Sequence, residues 1–345
     1  MQNKKEIKLF SEFSKKIGDR IDYVQGGGGN TSYKVDDQTM LIKASGYYLN
    51  QVKEQDGYAV LNYPKIQKFF YNHNVDDFED IEVAGSTAVK EAIIKVDNLP
   101  ELRPSVESGF HSILGSWVAH THSVYTNIIL CSRSAEKLLK AIFSKFSYIY
   151  IPYVNPGSRL TAEIYNEMKK FEENNGKIPD VIFLQNHGVI VHAEDMNACY
   201  DLHEEVNQII GEYFSINLQD YPAVEIKKID ENKYISNTNY LINSFKNNEY
   251  SQELLLERPL YPDQIVYLRD VLGETAIINQ DTGKITYEMP YKQAVLIEEA
   301  LTAIIFIMKN IEEKGLEVQY MHDSEQDFIK NWESEKYRKE LAEQE

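Results

Sequence analysis

The heptapeptide Ser116-Trp117-Val118-Ala119-His120-Thr121-His122 decides how the rest of the chain is read. Its residues alternate with the period of a β-strand, and on a strand residues two apart share a face, with Cα atoms about 6.6 Å apart. His120 and His122 therefore present two imidazoles on one side, close enough to meet a single metal ion. An isolated His-x-His is just as readily a pair of histidines on a half-buried strand, so the neighbouring segments must decide.

Two more apolar strands are expected at residues 181–184 and 189–191, split by Gln185-Asn186-His187-Gly188. A histidine in so tight a bend is aimed rather than merely accommodated, and His187 offers a third imidazole. Upstream, Pro104-Ser105-Val106-Glu107 opens a helix expected to reach Leu114, and Glu107 lies where the helix macrodipole favours a charged carboxylate. Three histidines and one glutamate make a tetrahedral zinc set. With one exchangeable ligand, such a site polarises a carbonyl or hydroxyl, and a displaced Glu107 becomes a general base.

Nearer the N-terminus, a helix is expected at residues 5–17, then a short apolar run at 21–24 ending in Gly26-Gly27-Gly28-Gly29. Residues 31–35 and 39–43 follow as a hairpin turning at Asp36-Asp37. The glycine run with Asn30, and the pair Ser45-Gly46, offer backbone N–H groups and small polar side chains to an anion such as phosphate, though each also reads as a plain turn. A dinucleotide fingerprint fits poorly, because the third glycine of G-x-G-x-x-G would fall on Thr31 and a strand, not a helix, follows. Helices are expected at 57–71 and at 86–96, the latter capped by Ser86, then again from Thr161 and across 194–218, where Tyr221-Pro222 ends the pattern.

The 345 residues carry a formal charge of −18 with 43% hydrophobic side chains, which permits a sizeable core and about two domains. So acidic a chain, without a basic aromatic cluster, is expected to bind neither nucleic acid nor anionic membrane. The N-terminal 18 residues lack the apolar core of a signal peptide, and residues 294–308 are too short and too interrupted by Glu298 and Glu299 to span a bilayer. Two distant cysteines, Cys131 and Cys199, suit packing in a reducing cytoplasm better than a disulfide. Residues 219–345 read as α-rich with one strand-turn-strand near 275–287, and acid is concentrated at the very end.

Taken in order, Gly28-Gly29-Asn30-Thr31-Ser32, Lys43-Ala44-Ser45-Gly46, Arg103-Pro104-Ser105-Val106-Glu107, His120-Thr121-His122 and Asn186-His187-Gly188 resemble the motifs of the class II aldolase/adducin family. The resemblance runs from residue 5 to about 218. It implies an α/β fold, a three-layer α/β/α sandwich with a mostly antiparallel central sheet, in residues 1–218, with residues 219–345 as a helical extension. It also implies a homotetramer and a cytoplasmic, zinc-dependent aldolase cleaving or forming a ketose phosphate, another divalent metal being compatible. By position, His120, His122, His187 and Glu107 would hold the metal, Glu107 would also be the base, and Gly29, Asn30, Ser45, Gly46 and Ser105 would hold the substrate phosphate. Val106 replaces a second serine common in the family, which removes one hydroxyl from that cradle. The same ligand set serves epimerases, dehydratases and decarboxylases of the family, and an adducin-like scaffold would keep the fold without the metal site.

The remaining candidates have plainer expectations. His111, one turn after Glu107, is read as structural, and His192 as either a neighbour of the site or a core histidine. His73, His203 and His322 are expected in solvent or on helices. Arg103 reads as a surface salt-bridge residue, or as a partner of Glu107 or of a substrate anion. Family members often take a proton-donating tyrosine from a neighbouring subunit, for which Tyr125, Tyr153 and Tyr320 are candidates.

Overall fold

The computed structural model describes residues 4–246 and 250–331, so the acidic segment from residue 332 onward lies outside the described residues. The chain forms two compact units, Met1–His122 with Phe143–Asn207, and Ser123–Ile142 with Gln208–Glu345.

The first unit begins with helix α1 (Lys4–Gly18) and the hairpin β1 (Asn30–Lys34) and β2 (Thr39–Lys43). Asp36 makes that hairpin's turn, its Oδ1 accepting from the N–H groups of Gln38 and Thr39, each at 2.8 Å. The expected helix at 57–71 is corrected: Tyr58–Asn62 is strand β3, and only then does helix α2 (Tyr63–Asn72) begin. The local reason is visible afterwards, since Asn62 caps α2 by accepting from the Lys65 N–H at 3.2 Å and Pro64 occupies its first turn. Helix α3 (Ile81–Glu91) likewise starts before Ser86, because Asp80 accepts from the N–H groups of Glu82 and Val83.

Helix α4 (Ser108–Ile113) and strand β4 (Trp117–Thr121) follow. After α5 (Val124–Leu130) and α6 (Ala135–Ile142), which belong to the second unit, come β5 (Tyr148–Ile151), α7 (Ser158–Asn175), β6 (Val181–Leu184), β7 (Gly188–Ala193) and α8 (Met196–Phe214). The seven strands order as β3-β2-β1-β4-β7-β6-β5, and every pair is antiparallel except β5 with β6.

Register sorts the side chains into two faces. Asn30 pairs with His120, which pairs with Ile190, and Ser32 pairs with Val118 and Ile42, so these residues share one face. That face packs against α2, α3, α4 and α7 through two apolar clusters, one including Phe110, Val118, Ile164 and Ile190, the other Ile42, Leu61, Ile66 and Phe70. The opposite face carries Thr31, Trp117 and Thr121 and meets α1 and α8, with the Phe13 ring 5.2 Å from Trp117 and Ser14 Oγ 2.6 Å from Thr31 Oγ1. Helices on both faces of a mostly antiparallel sheet give the α/β/α arrangement expected from the motifs.

In the second unit the extension is not purely helical. Strands β8 (Ile226–Asp230), β9 (Lys233–Ser236), β10 (Ala276–Asn279) and β11 (Lys284–Glu288) form an antiparallel sheet in the order β10-β11-β9-β8. Its helices are α9 (Asn239–Lys246), α10 (Gln252–Glu257), α11 (Pro262–Leu268), α12 (Tyr291–Glu313) and α13 (Asp323–Asn331). The β8–β9 hairpin escapes a sequence reading because exposed lysines and acids, Lys227, Lys228 and Asp230, hide its alternation. In α12, Glu298 is fully buried, and Ser236 and Tyr287 each donate to its carboxyl group. Among the described residues, no helix is long and apolar enough to cross a membrane.

Candidate metal centre

The site forms where β4 ends, where the β6–β7 bend lies, and where α4 begins. His120 is on the α4-facing side of β4, opposite Asn30 on β1. His120 Nδ1 lies 3.1 Å from the Val189 carbonyl, which can only accept, so Nδ1 carries the hydrogen and Nε2 presents a lone pair. His122 follows two residues later on the same side, and its Nε2 is 3.2 Å from that of His120. His187 reaches them from the bend, with its Nε2 3.3 Å from His120 Nε2.

The bend closes tightly on β4. Asn186 has a left-handed φ of 50°, and a Cβ on Gly188 would fall 2.2 Å from the Thr121 carbonyl oxygen. Only glycine permits that approach, which is what brings His187 to the other two histidines.

Glu107, the N-cap residue of α4, lies beside the three histidines. Its Oε2 is 3.5 Å from His120 Nε2 and its Oε1 is 3.4 Å from His187 Nε2. All four side chains are buried. Ligands about 2.0–2.1 Å from a tetrahedral zinc would lie about 3.3–3.4 Å from one another, which is close to the spacing of His120 Nε2 from the Nε2 atoms of His122 and His187, and the ligand atoms of the three histidines all lie within 4.8 Å of one another. Glu107 Oε1 accepts no hydrogen bond although it is buried, a costly state for a carboxylate unless a cation serves it. Donor chemistry, spacing and the unsatisfied oxygen therefore fit a divalent cation.

The expected phosphate-binding residues sit beside this cluster. Asn30 Nδ2 donates to Glu107 Oε2 at 2.7 Å and to Ser105 Oγ at 3.1 Å. The segment through Ser105 pairs with the end of β2, the Ser45 N–H donating to the Arg103 carbonyl at 2.8 Å and the Ser105 N–H to that of Lys43 at 3.3 Å. The buried Lys43 ammonium donates to the carbonyls of Gly27 and Tyr47, each at 2.7 Å, and ties the glycine run to the loop after Ser45-Gly46. Gly29 (φ 61°) lies where a Cβ would be 2.8 Å from the His120 carbonyl, and Gly46 has a φ of 85°. Asn30, Ser105 and Glu107 thus meet directly, whereas Ser45 is linked to the Ser105 segment through backbone pairing.

The profile of the family described as Class II Aldolase and Adducin N-terminal domain matches residues 10–213, more than half of the chain. The chain belongs to that family. This class II aldolase-type chain is 23% identical over 206 residues to a protein named 3-oxo-tetronate 4-phosphate decarboxylase from Haemophilus influenzae, the match covering 57% of this chain and 81% of that one. Among solved structures it is similar to the N-terminal class II aldolase domain of a conserved protein from Thermoplasma acidophilum. The TM-score there is 0.50 at 22% identity, over 60% of this chain and 93% of that one. An L-fuculose 1-phosphate aldolase is also similar, with a TM-score of 0.42 at 19% identity, over 62% and 86% of the two chains.

The other candidate residues around these motifs take up the following places. His111 does not reach the three-histidine cluster: its Nε2 meets Asn30 Oδ1 and its Nδ1 lies 2.7 Å from Ser32 Oγ. Burial, then the positive fields of His120 and Lys34, holds its imidazole well below the ordinary range. His203 is on α8 but is wholly buried, with Nε2 2.8 Å from Thr121 Oγ1 on the sheet face opposite the cluster. Burial and the nearby Arg20 push its pKa down to about 3. His192 is a core histidine between the Pro179 carbonyl and the Gly115 N–H. Tyr125 is fully buried and donates its hydroxyl to the Leu218 carbonyl at 3.0 Å. Both cysteines are buried and free.

Proposed function

We propose that this chain is a divalent-metal-dependent lyase, zinc being the first choice, that cleaves or forms a ketose phosphate by aldol chemistry and works as a cytoplasmic homo-oligomer, a tetramer by the family pattern. The observation that carries the reading is the convergence of three buried imidazoles, their ligand atoms within 4.8 Å of one another, with an unsatisfied Glu107 oxygen 3.4 Å from His187 Nε2. His120, His122 and His187 would hold the cation, with Glu107 as the fourth ligand. When bound, the cation supplies Lewis acidity towards a substrate carbonyl or hydroxyl oxygen.

Glu107 then has two duties. Its Oε1 would be a ligand in the resting site, and when displaced by substrate the carboxylate would be free to take up the proton that C–C cleavage requires. Asn30 keeps Oε2 in place meanwhile. The amide hydrogens of Asn30, the hydroxyls of Ser45 and Ser105 and the backbone at Gly29 and Gly46 form the donor set for the substrate phosphate. Because Asn30 Nδ2 already serves Glu107 and Ser105, an arriving phosphate competes with both. In a chain of charge −18, attraction of a phosphorylated sugar rests on these local donors and the cation rather than on the overall field.

A second reading keeps the site and changes the reaction to decarboxylation of a phosphorylated 3-oxo sugar acid. It is supported by the likeness to the Haemophilus influenzae protein. Metal analysis of the purified chain, followed by incubation with ketose 1-phosphates and with phosphorylated 3-oxo acids, tests both. Release of dihydroxyacetone phosphate is the expected result, and carbon dioxide release would favour the second reading. No bound or activating divalent metal would reject both in favour of a scaffold.

A further inference from the structure

A chain of hydrogen bonds runs from the middle of β1 to Glu107, and two of its members, Ser32 and His111, belong to neither the proposed cation ligands nor the proposed phosphate donors. Ser32 Oγ is 2.7 Å from His111 Nδ1, His111 Nε2 meets Asn30 Oδ1, and Asn30 Nδ2 is 2.7 Å from Glu107 Oε2. Ser32 and His111 are fully buried, and Phe110 stacks on the His111 ring with centroids 4.8 Å apart. We propose that Ser32 and His111 are positioning residues that lock the Asn30 amide with its NH2 towards Glu107 and so hold that carboxylate in its metal-binding and proton-accepting place.

The direction of the chain follows from donor counting. Were the Asn30 amide reversed, its oxygen would lie 2.7 Å from Glu107 Oε2, an acceptor against an acceptor. A Glu107 oxygen that accepts here therefore takes the NH2 group. Asn30 Oδ1 then faces His111 and requires a donor, which fixes the hydrogen on His111 Nε2. His111 Nδ1 is left with a lone pair and requires a donor in turn, and the Ser32 hydroxyl is that donor. Each link has one satisfiable direction, and every dipole points its positive end towards Glu107, so the bonds polarise one another.

The sequence spacing explains why no single motif reveals this. Ser32 and Asn30 are on one face of β1 because they are two apart, and His111 is one turn beyond Glu107 on α4, the helix laid on that face. A histidine four residues after the glutamate reads as helix packing until β1 is known to lie under it.

The metal-dependent half of the test rests on the proposed role of Glu107, while the tautomer half does not. Nitrogen-15 NMR of the histidine-labelled, metal-free chain should show His111 neutral with its hydrogen on Nε2, its signals identified by their loss in His111→Gln. A hydrogen on Nδ1 would overturn the proposal whatever the chain does with metal. Zinc competition titrations should then show affinity falling roughly 10–100-fold in Ser32→Ala and in His111→Leu. His111→Gln, whose side-chain amide supplies a donor and an acceptor in place of the two ring nitrogens, should recover most of that loss, a rescue that simple packing would not produce. Ser32→Ala keeps the test alive if His111→Leu does not fold. Folded Ser32→Ala and His111→Leu proteins that bind zinc like the parent would overturn the positioning role. A parent chain that takes up no zinc would reject the metal reading instead, and the tautomer measurement would then decide the relay by itself.

Discussion

Asn30 and Glu107 are 77 residues apart in the chain and are joined by a 2.7 Å hydrogen bond from Nδ2 to Oε2. Both side chains are buried, so the bond satisfies one oxygen, Oε2, of a carboxylate largely withdrawn from water. Asn30→Ala should destabilise the metal-free chain by about 1–3 kcal/mol in chemical denaturation. In a Glu107→Gln background the same substitution should cost clearly less. Additive effects would mean that the two side chains are not coupled.

Cation binding should be visible as stability. Zinc that binds only the folded chain should raise its melting temperature, the gain reaching about 2.7 kcal/mol at a hundredfold excess over Kd. A chelator should reverse the rise, and His122→Ala should abolish it. Because the imidazoles must be neutral to bind, the effect should fade as pH drops. A zinc-induced rise of equal size in His122→Ala would place binding elsewhere.

Gly188 gives a backbone test of the same centre. A Cβ there would lie 2.2 Å from the Thr121 carbonyl oxygen, and backbone atoms cannot move aside cheaply. Gly188→Ala should cost about 1–3 kcal/mol, read by denaturant titration, and should weaken zinc uptake because His187 is carried by the same bend. Unchanged zinc affinity would show that His187 reaches the cluster without that close contact.

His203 predicts an acid-sensitivity that does not involve the metal. In the fold its pKa is pushed down to about 3, against about 6.5 for an unperturbed histidine. Between these values the unfolded chain binds a proton that the folded chain refuses, so stability falls as pH falls from about 6.5 towards 3. His203→Gln removes this titration, and its stability should fall less steeply across the window than that of the parent. Parallel stability curves for the two proteins would mean that His203 is not buried neutral.

The strand period, the Asn-His-Gly bend and the helix start were enough to expect a three-histidine, one-glutamate set, because each signal is local, while the mostly antiparallel sheet was expected from the family resemblance of five ordered motifs. His120 and His122 share a face through strand geometry alone, and Asn186-His187-Gly188 declares its bend by composition. The misreadings are local as well. Residues 57–71 look helical until Tyr58–Asn62 is found paired with β2, and the apolar content of that segment serves either structure.

What sequence alone determined was the kind of site, the direction in which its strand side chains point and the family to which it belongs. Which atoms meet was decided only by tertiary structure. Pairing Asn30 with His120 across β1 and β4, and laying α4 over that face, turned His111 from a packing residue into the partner of Asn30. Burial on the opposite face made His203 a neutral core group. Periodicity specifies a side chain's direction relative to its own element. The register between strands and the helix that covers them are set by burial of the whole core, and from those the hydrogen-bonded neighbours follow.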